Sequence, residues 1–205
     1  MAKADVTKTN LAVERLLETT ENPLHRFLLQ AYHRHRFLEI AGRYEEIFTP
    51  EMTVENPIYH FHSQGINATL RGQEAVKGLY REWADTNQAV FVVKSEQIAV
   101  ADNFVASVTV AEQQILGSAL IAGNIQVDDP NAMYLYTSRV EMIWPYDDRG
   151  RLVGEDVWEP DPDESTTTML DPADVLTTAE AAAQLKPLIK PLPSFDEAVM
   201  SVSRR

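Results

Sequence analysis

The stretch Met52-Thr53-Val54-Glu55-Asn56-Pro57-Ile58-Tyr59-His60-Phe61-His62 alternates like a strand and ends in groups able to move protons. His60 and His62 share a strand face with Val54, Asn56 and Ile58 if Pro57 does not force a bulge. Two histidines so spaced can chelate a metal, but the HxH site also needs a nearby glutamate. Ser63, Gln64, Gly65 and Ile66 follow instead, so no metal is expected. With a side-chain pKa near neutrality, either histidine is a general base or acid, or else a plain strand-end surface residue. Tyr32, on the apolar face of a helix, is either a core tyrosine or a hydroxyl donor aimed into a pocket. Glu112 ends the alternation Phe104, Ala106, Val108, Val110, a row expected to face the core, so this acid lines a pocket or its rim. Glu141, between Val140 and Met142, is either solvated or buried with a raised pKa. Leu152, Gly154, Asp156 and Trp158 fall on one strand face and Val153, Glu155 and Val157 on the other, so at most one of Glu155 and Asp156 faces a pocket. Arg71, just before a helix, reads as a solvated or packing residue.

These residues need a scaffold, and composition bounds it. The chain has 205 residues, 44% hydrophobic and 24% charged, enough for one sizeable core. It has no cysteine, so disulfides, thiolate nucleophiles and cysteine-held metals are excluded. A net charge of -13 opposes nucleic acid and anionic lipid, and favours a neutral or cationic small molecule or another protein. Neither a membrane span nor a signal peptide is visible, so a cytoplasmic protein is expected.

The periodicity predicts helices over 10–18, from 22 behind an Asn22–Pro23 cap, and over 72–85 with Val76, Leu79, Tyr80 and Trp83 on one face. It predicts strands over 52–62, 89–100, 103–115, 133–145 and 151–159. Helices followed by a meander imply an α+β fold, with helices packed on a curved antiparallel sheet around a cone-shaped pocket. Residues 116–131 form a long insertion, read as a lid. We divide the chain into a helical extension (1–21), the cone domain (22–161) and an acidic, proline-containing tail (162–205), extended, wrapping or partly disordered, with one short helix near 179–185.

The ordered set of TVENP (residues 53–57), LRGQEAVKGLYREW (70–83) and DDRGRLVGEDVWEP (147–160) resembles the nuclear transport factor 2-like superfamily, particularly its SnoaL-like and ketosteroid-isomerase-like enzymes, over residues 22–161. The resemblance implies that Asn56 stands where ketosteroid isomerases carry their proton-shuttling aspartate. Tyr32 matches their oxyanion-stabilising tyrosine, and Glu141 falls close to their second, protonated donor. Asparagine cannot accept a proton at neutral pH, so simple isomerisation through Asn56 is not expected. Scytalone-dehydratase-like enzymes and the diarylpropane lyases that expel formaldehyde are neighbours in this group, and all are cofactorless.

The resulting expectation is a cofactor-independent lyase or dehydratase acting on a hydrophobic aromatic or polycyclic molecule, such as a lignin-derived diaryl compound. His60, Tyr32, Tyr59, Glu141 and Asp156 are its catalytic set. Asn56, His62, Arg71, Trp83, Glu112, Tyr136, Glu155 and Trp158 are its substrate contacts. No cofactor is expected, and the chain is expected to form a homodimer or higher homo-oligomer. The alternatives are an isomerase or cyclase of the same superfamily, or a non-catalytic module that binds a small molecule or dimerises.

Overall fold

In the computed structural model, which describes residues 3–201, the Asn22 side chain accepts hydrogen bonds from the backbone N–H groups of Leu24 and His25 at 2.9 and 3.3 Å. Pro23, with no N–H to leave unpaired, opens helix α2 (Pro23–Ile40). The helix ends at Gly42, whose φ of +65° suits a residue without a Cβ. It is buried on nearly every side, through Phe27, Leu28, Leu29, Ala31, Phe37, Leu38 and Ile40. Helix α1 (Leu11–Thr19) lies against it, with Asn10 Nδ2 donating to the His33 carbonyl at 2.9 Å.

The strands are β1 (Thr53–Ser63), β2 (Ile66–Arg71), β3 (Phe91–Ala101), β4 (Phe104–Leu116), β5 (Met133–Pro145), β6 (Leu152–Trp158) and β7 (Thr166–Met169). They form one sheet in the order β2-β1-β6-β5-β4-β3, with β7 added beside β5. Every pairing is antiparallel except β1 with β6. Helix α2 and helix α3 (Gln73–Asp85) cover one face, giving the expected α+β architecture. Strands β2 and β7 were not expected from the sequence. β1 and β6 approach so closely at Gly154 that a Cβ there would lie 1.7 Å from the Ile58 carbonyl oxygen.

Two face assignments invert. In β1 the odd residues Tyr59, Phe61 and Ser63 are buried, and the register against β6 shifts between Thr53 and Ile58, the bulge anticipated at Pro57. His60 and His62 therefore point to the other side of the sheet. In the first half of β4 the buried residues are Val105, Ser107 and Thr109, while Phe104 and Val108 of the apolar row are 36% and 37% exposed. The helix-covered face has polar residues there because Thr109 donates to the buried Glu96 and to Ser107, and the apolar row faces outward instead.

Residues 162–201 pack on the same body. Helix α5 (Thr178–Leu185) starts with a reciprocal Thr177–Glu180 capping box, and Leu176, Ala181 and Leu185 are buried against Phe37, Ile40 and Val90. Phe195 meets Phe27 edge-on at 5.3 Å. The 116–131 insertion carries helix α4 (Gly117–Ala122) over its own small core of Ile115, Leu120, Tyr134 and Tyr136.

Candidate active site

Tyr32, His35, Arg36 and Glu39 recur at helical spacing, so α2 presents one polar stripe to the inner face of the sheet. Between stripe and sheet lies a cavity of about 100 Å3. Phe61, Trp83, Phe91, Val140, Met142 and Val157 give it apolar walls, and Arg36, Glu39 and Glu155 give it charge-bearing groups.

Arg36 is 2% exposed and its Nη1 donates to both carboxylate oxygens of Glu96, at 3.0 and 3.1 Å. Tyr32 Oη and Thr109 Oγ1 also donate to Glu96, each at 3.2 Å. Glu96 thus carries enough partners to hold a buried guanidinium at the cavity wall. Glu155, 4% exposed, has no such cation. Tyr80 Oη donates to its Oε1 at 3.3 Å, and His35 Nε2 lies 3.2 Å from both that oxygen and Tyr80 Oη. Burial, and then the facing Glu39, push the Glu155 carboxyl well above the usual carboxylate range. Burial raises Glu39 to about 8, against the opposing pull of Arg36. His35 goes the other way: burial and then Arg36 lower it to about 3, so its ring is neutral and its contact with Glu155 is no ion pair. Two carboxyls, a neutral imidazole and two tyrosines raised by burial and by Glu155, Tyr59 and Tyr80, form a proton-holding cluster at the end of an apolar cavity. Tyr59 Oη and Trp144 Nε1 are buried there without a hydrogen-bond partner among the described residues.

Of the residues singled out in the sequence, Glu155, Trp83 and Tyr136 line the cavity, and Tyr59 and Tyr32 are buried beside it. The others are not brought to it. His60 Nδ1 and Asp156 Oδ1 are 2.6 Å apart on the opposite face, 42% and 53% exposed. Glu141 pairs with Arg139 there, Trp158 is 63% exposed, and His62, Asn56 and Arg71 are exposed. Glu112 bonds Lys94 at 3.2 Å on that same outer face. The cause is strand parity: once Tyr59, Phe61 and Glu155 turn inward, their neighbours His60, His62 and Asp156 must turn outward. The insertion contributes no cavity wall and instead braces the β1–β2 turn, where a Cβ on Gly65 would fall 1.9 Å from the Gly123 carbonyl oxygen. His35, Arg36, Glu39, Tyr80 and Glu96 were missed, although His35, Arg36 and Glu39 repeat the phase of Tyr32 on a helix otherwise apolar on its buried sides.

Among the described residues no group of three or more His, Asp or Glu could hold a metal, and no helix is long and apolar enough to cross a membrane. No protein-family model matches the chain, and no curated protein does. Solved structures do. A putative SnoaL-like polyketide cyclase from Jannaschia sp. CCS1 is similar at a TM-score of 0.51 and 12% identity, over 69% of this chain and 91% of that one. An NTF2-like protein from Anabaena variabilis is similar at 0.49 and 9% identity, over 76% and 96%. Mycobacterium tuberculosis RV0760c, in complex with estradiol-17beta-hemisuccinate, is similar at 0.44 and 10% identity, over 71% and 99%. The first of these likenesses shows the fold: this chain folds as that SnoaL-like protein does.

Proposed function

We propose that the protein is a cofactor-independent acid–base enzyme, a lyase or dehydratase, and that Glu155 and Glu39 exchange protons with an apolar, aromatic small molecule held in the cavity. The observation that carries this reading is the pair of carboxyls enclosed with Tyr80 and His35 at the end of a cavity walled by Phe61, Trp83 and Phe91. A structural core gains nothing from two buried acids, both raised by burial and one of them further by the other; a site that must hold one proton and accept another does.

In an elimination, Glu39, in the ionised form that grows in as pH rises towards 8, takes a proton from carbon, and protonated Glu155 delivers its proton to the departing oxygen. A C–H and a C–O bond break, a C=C bond forms, and water leaves. Glu39 ends protonated and Glu155 ionised, with Tyr80 donating to the new carboxylate. Loss of formaldehyde from a diol uses the same acid and base: the base takes the proton of the terminal hydroxyl, its carbon leaves as formaldehyde, the electron pair of the broken C–C bond forms the C=C bond, and the second hydroxyl, protonated by Glu155, leaves as water. Neutral His35 and Tyr80 orient Glu155. Fold alone does not choose among lyase, isomerase and binder, so the choice rests on this cluster. Glu155→Gln keeps shape and hydrogen bonding but removes the proton, and should reduce turnover by about 10^2- to 10^4-fold with the fold intact. Undiminished turnover of an authentic substrate by that variant would refute the assignment.

The exposed apolar outer face supports the expected homodimer. Phe104, Val108, Ile143 and Trp158, with Ala99 and Ala106 beside them, line a shallow groove of about 550 Å3 or its margin, and a second copy presenting the same patch would cover it.

A further inference from the structure

Beside the cavity, β1 turns through Gln64 and Gly65 into β2. Gln64 Nε2 donates to Gln113 Oε1 at 2.5 Å, and both residues line the cavity. Their strands are not neighbours: β6 and β5 lie between β1 and β4. The bond therefore runs across the concave side of the sheet and not along it. Both ends are held. Gln64 has a φ of +57°, its backbone N–H donates to Glu159 Oε2 at 2.8 Å, and Gly123 packs behind it. Gln113 Nε2 donates to the Gln88 carbonyl at 2.9 Å. Ser63 Oγ and Tyr136 Oη, donating to Glu159 at 3.2 and 2.6 Å, complete a rim that this one amide pair spans.

Size makes the bond consequential. An engineered apolar cavity of ~150 Å3 takes up benzene, and the cavity here is about 100 Å3. Closed, it holds one ring at most, so a larger aromatic molecule must part the two amides to enter. We propose that Gln64 and Gln113 form a size-selecting latch across the mouth of the cavity. The proposal rests on the cavity being the ligand site but not on its acid–base chemistry, and its test reads access alone.

Three tryptophans are present, and Trp83 and Trp144 line the cavity while Trp158 is outside. In a Trp158→Phe background, quenching of the remaining fluorescence by acrylamide reports entry. Gln113→Ala, and Gln64→Gly, chosen because its backbone suits glycine, should at least double the quenching constant and accelerate uptake of the polycyclic dye Nile red. Gln64→Lys with Gln113→Glu, which replaces the amide bond by an ion pair, should return both to the parent values, as a merely destabilised rim would not. The chain has no cysteine, so Gln64→Cys with Gln113→Cys, joined by a short bis-maleimide, should quench and take up dye less than the parent. Quenching and dye uptake that stay at the parent level when the pair is removed, or when it is cross-linked, would overturn the latch. So would a failure of the Lys–Glu pair to restore closure.

Discussion

Glu155 is where sequence and structure meet at the scale of single residues. Alternation established that Glu155 and Asp156 cannot both face a pocket, and the structure selects Glu155. Nothing in strand parity alone could choose the inner face, because β1 offers Val54 and Ile58 on one side and Tyr59 and Phe61 on the other. The heavier aromatic pair goes inside, and His60 goes out with Asp156. His60→Ala should therefore leave turnover within about twofold of the parent, whereas Glu39→Gln should abolish most of it, as steady-state rates would show. The pH dependence of stability also follows. Glu39 holds its proton up to about 8 when folded, against 4.5 in the open chain, so between those values the folded state carries more protons and stability falls as pH rises. Glu155 adds a contribution of the same sign. His35, lowered to about 3 when folded against 6.5 in the open chain, contributes a slope of opposite sign below about pH 6.5, so melting temperatures should decline from pH 6.5 to pH 8, and the decline should be shallower in Glu39→Gln; identical slopes would show that Glu39 titrates normally.

Among the elements, the longer helices and strands were legible because their periods are clean over ten or more residues. The Asn22–Pro23 cap of α2 needed only local chemistry. What could not be read was what covers what. The row Phe104, Ala106, Val108 looks like a core face and is an outer one, because the opposite row, Ser107 and Thr109, hydrogen-bonds around Glu96. Strand β7 lies in a segment dominated by acids and is held by its partner β5, a non-local contact that leaves no local pattern. Helix α2 was read for its apolar residues, so its polar stripe passed unnoticed. The parallel β1–β6 contact is likewise invisible in sequence, yet it makes a sharp requirement at Gly154. Gly154→Ala must displace the Ile58 carbonyl, and should destabilise the fold by roughly 3 kcal/mol or more in a denaturant titration.

For the molecule as a whole, the two faces of one sheet divide the labour. The inner face encloses a proton-holding cavity. The outer face carries an apolar patch flanked by Arg139–Glu141 and His60–Asp156, which suits self-association better than chemistry. Ile143→Glu should shift a dimer towards monomer in light scattering without moving the turnover per chain, since Ile143 is 48% exposed and faces away from the cavity. The proposed chemistry depends on the two buried carboxyls, and they can be observed without knowing the substrate. In a carbon-13 titration of glutamate-labelled protein, with Glu39→Gln and Glu155→Gln to assign the signals, one carboxyl should titrate near pH 8 and another should remain protonated through neutrality. If every glutamate titrates around its ordinary value near 4.5, the cavity holds no acid–base pair and the proposed chemistry is wrong.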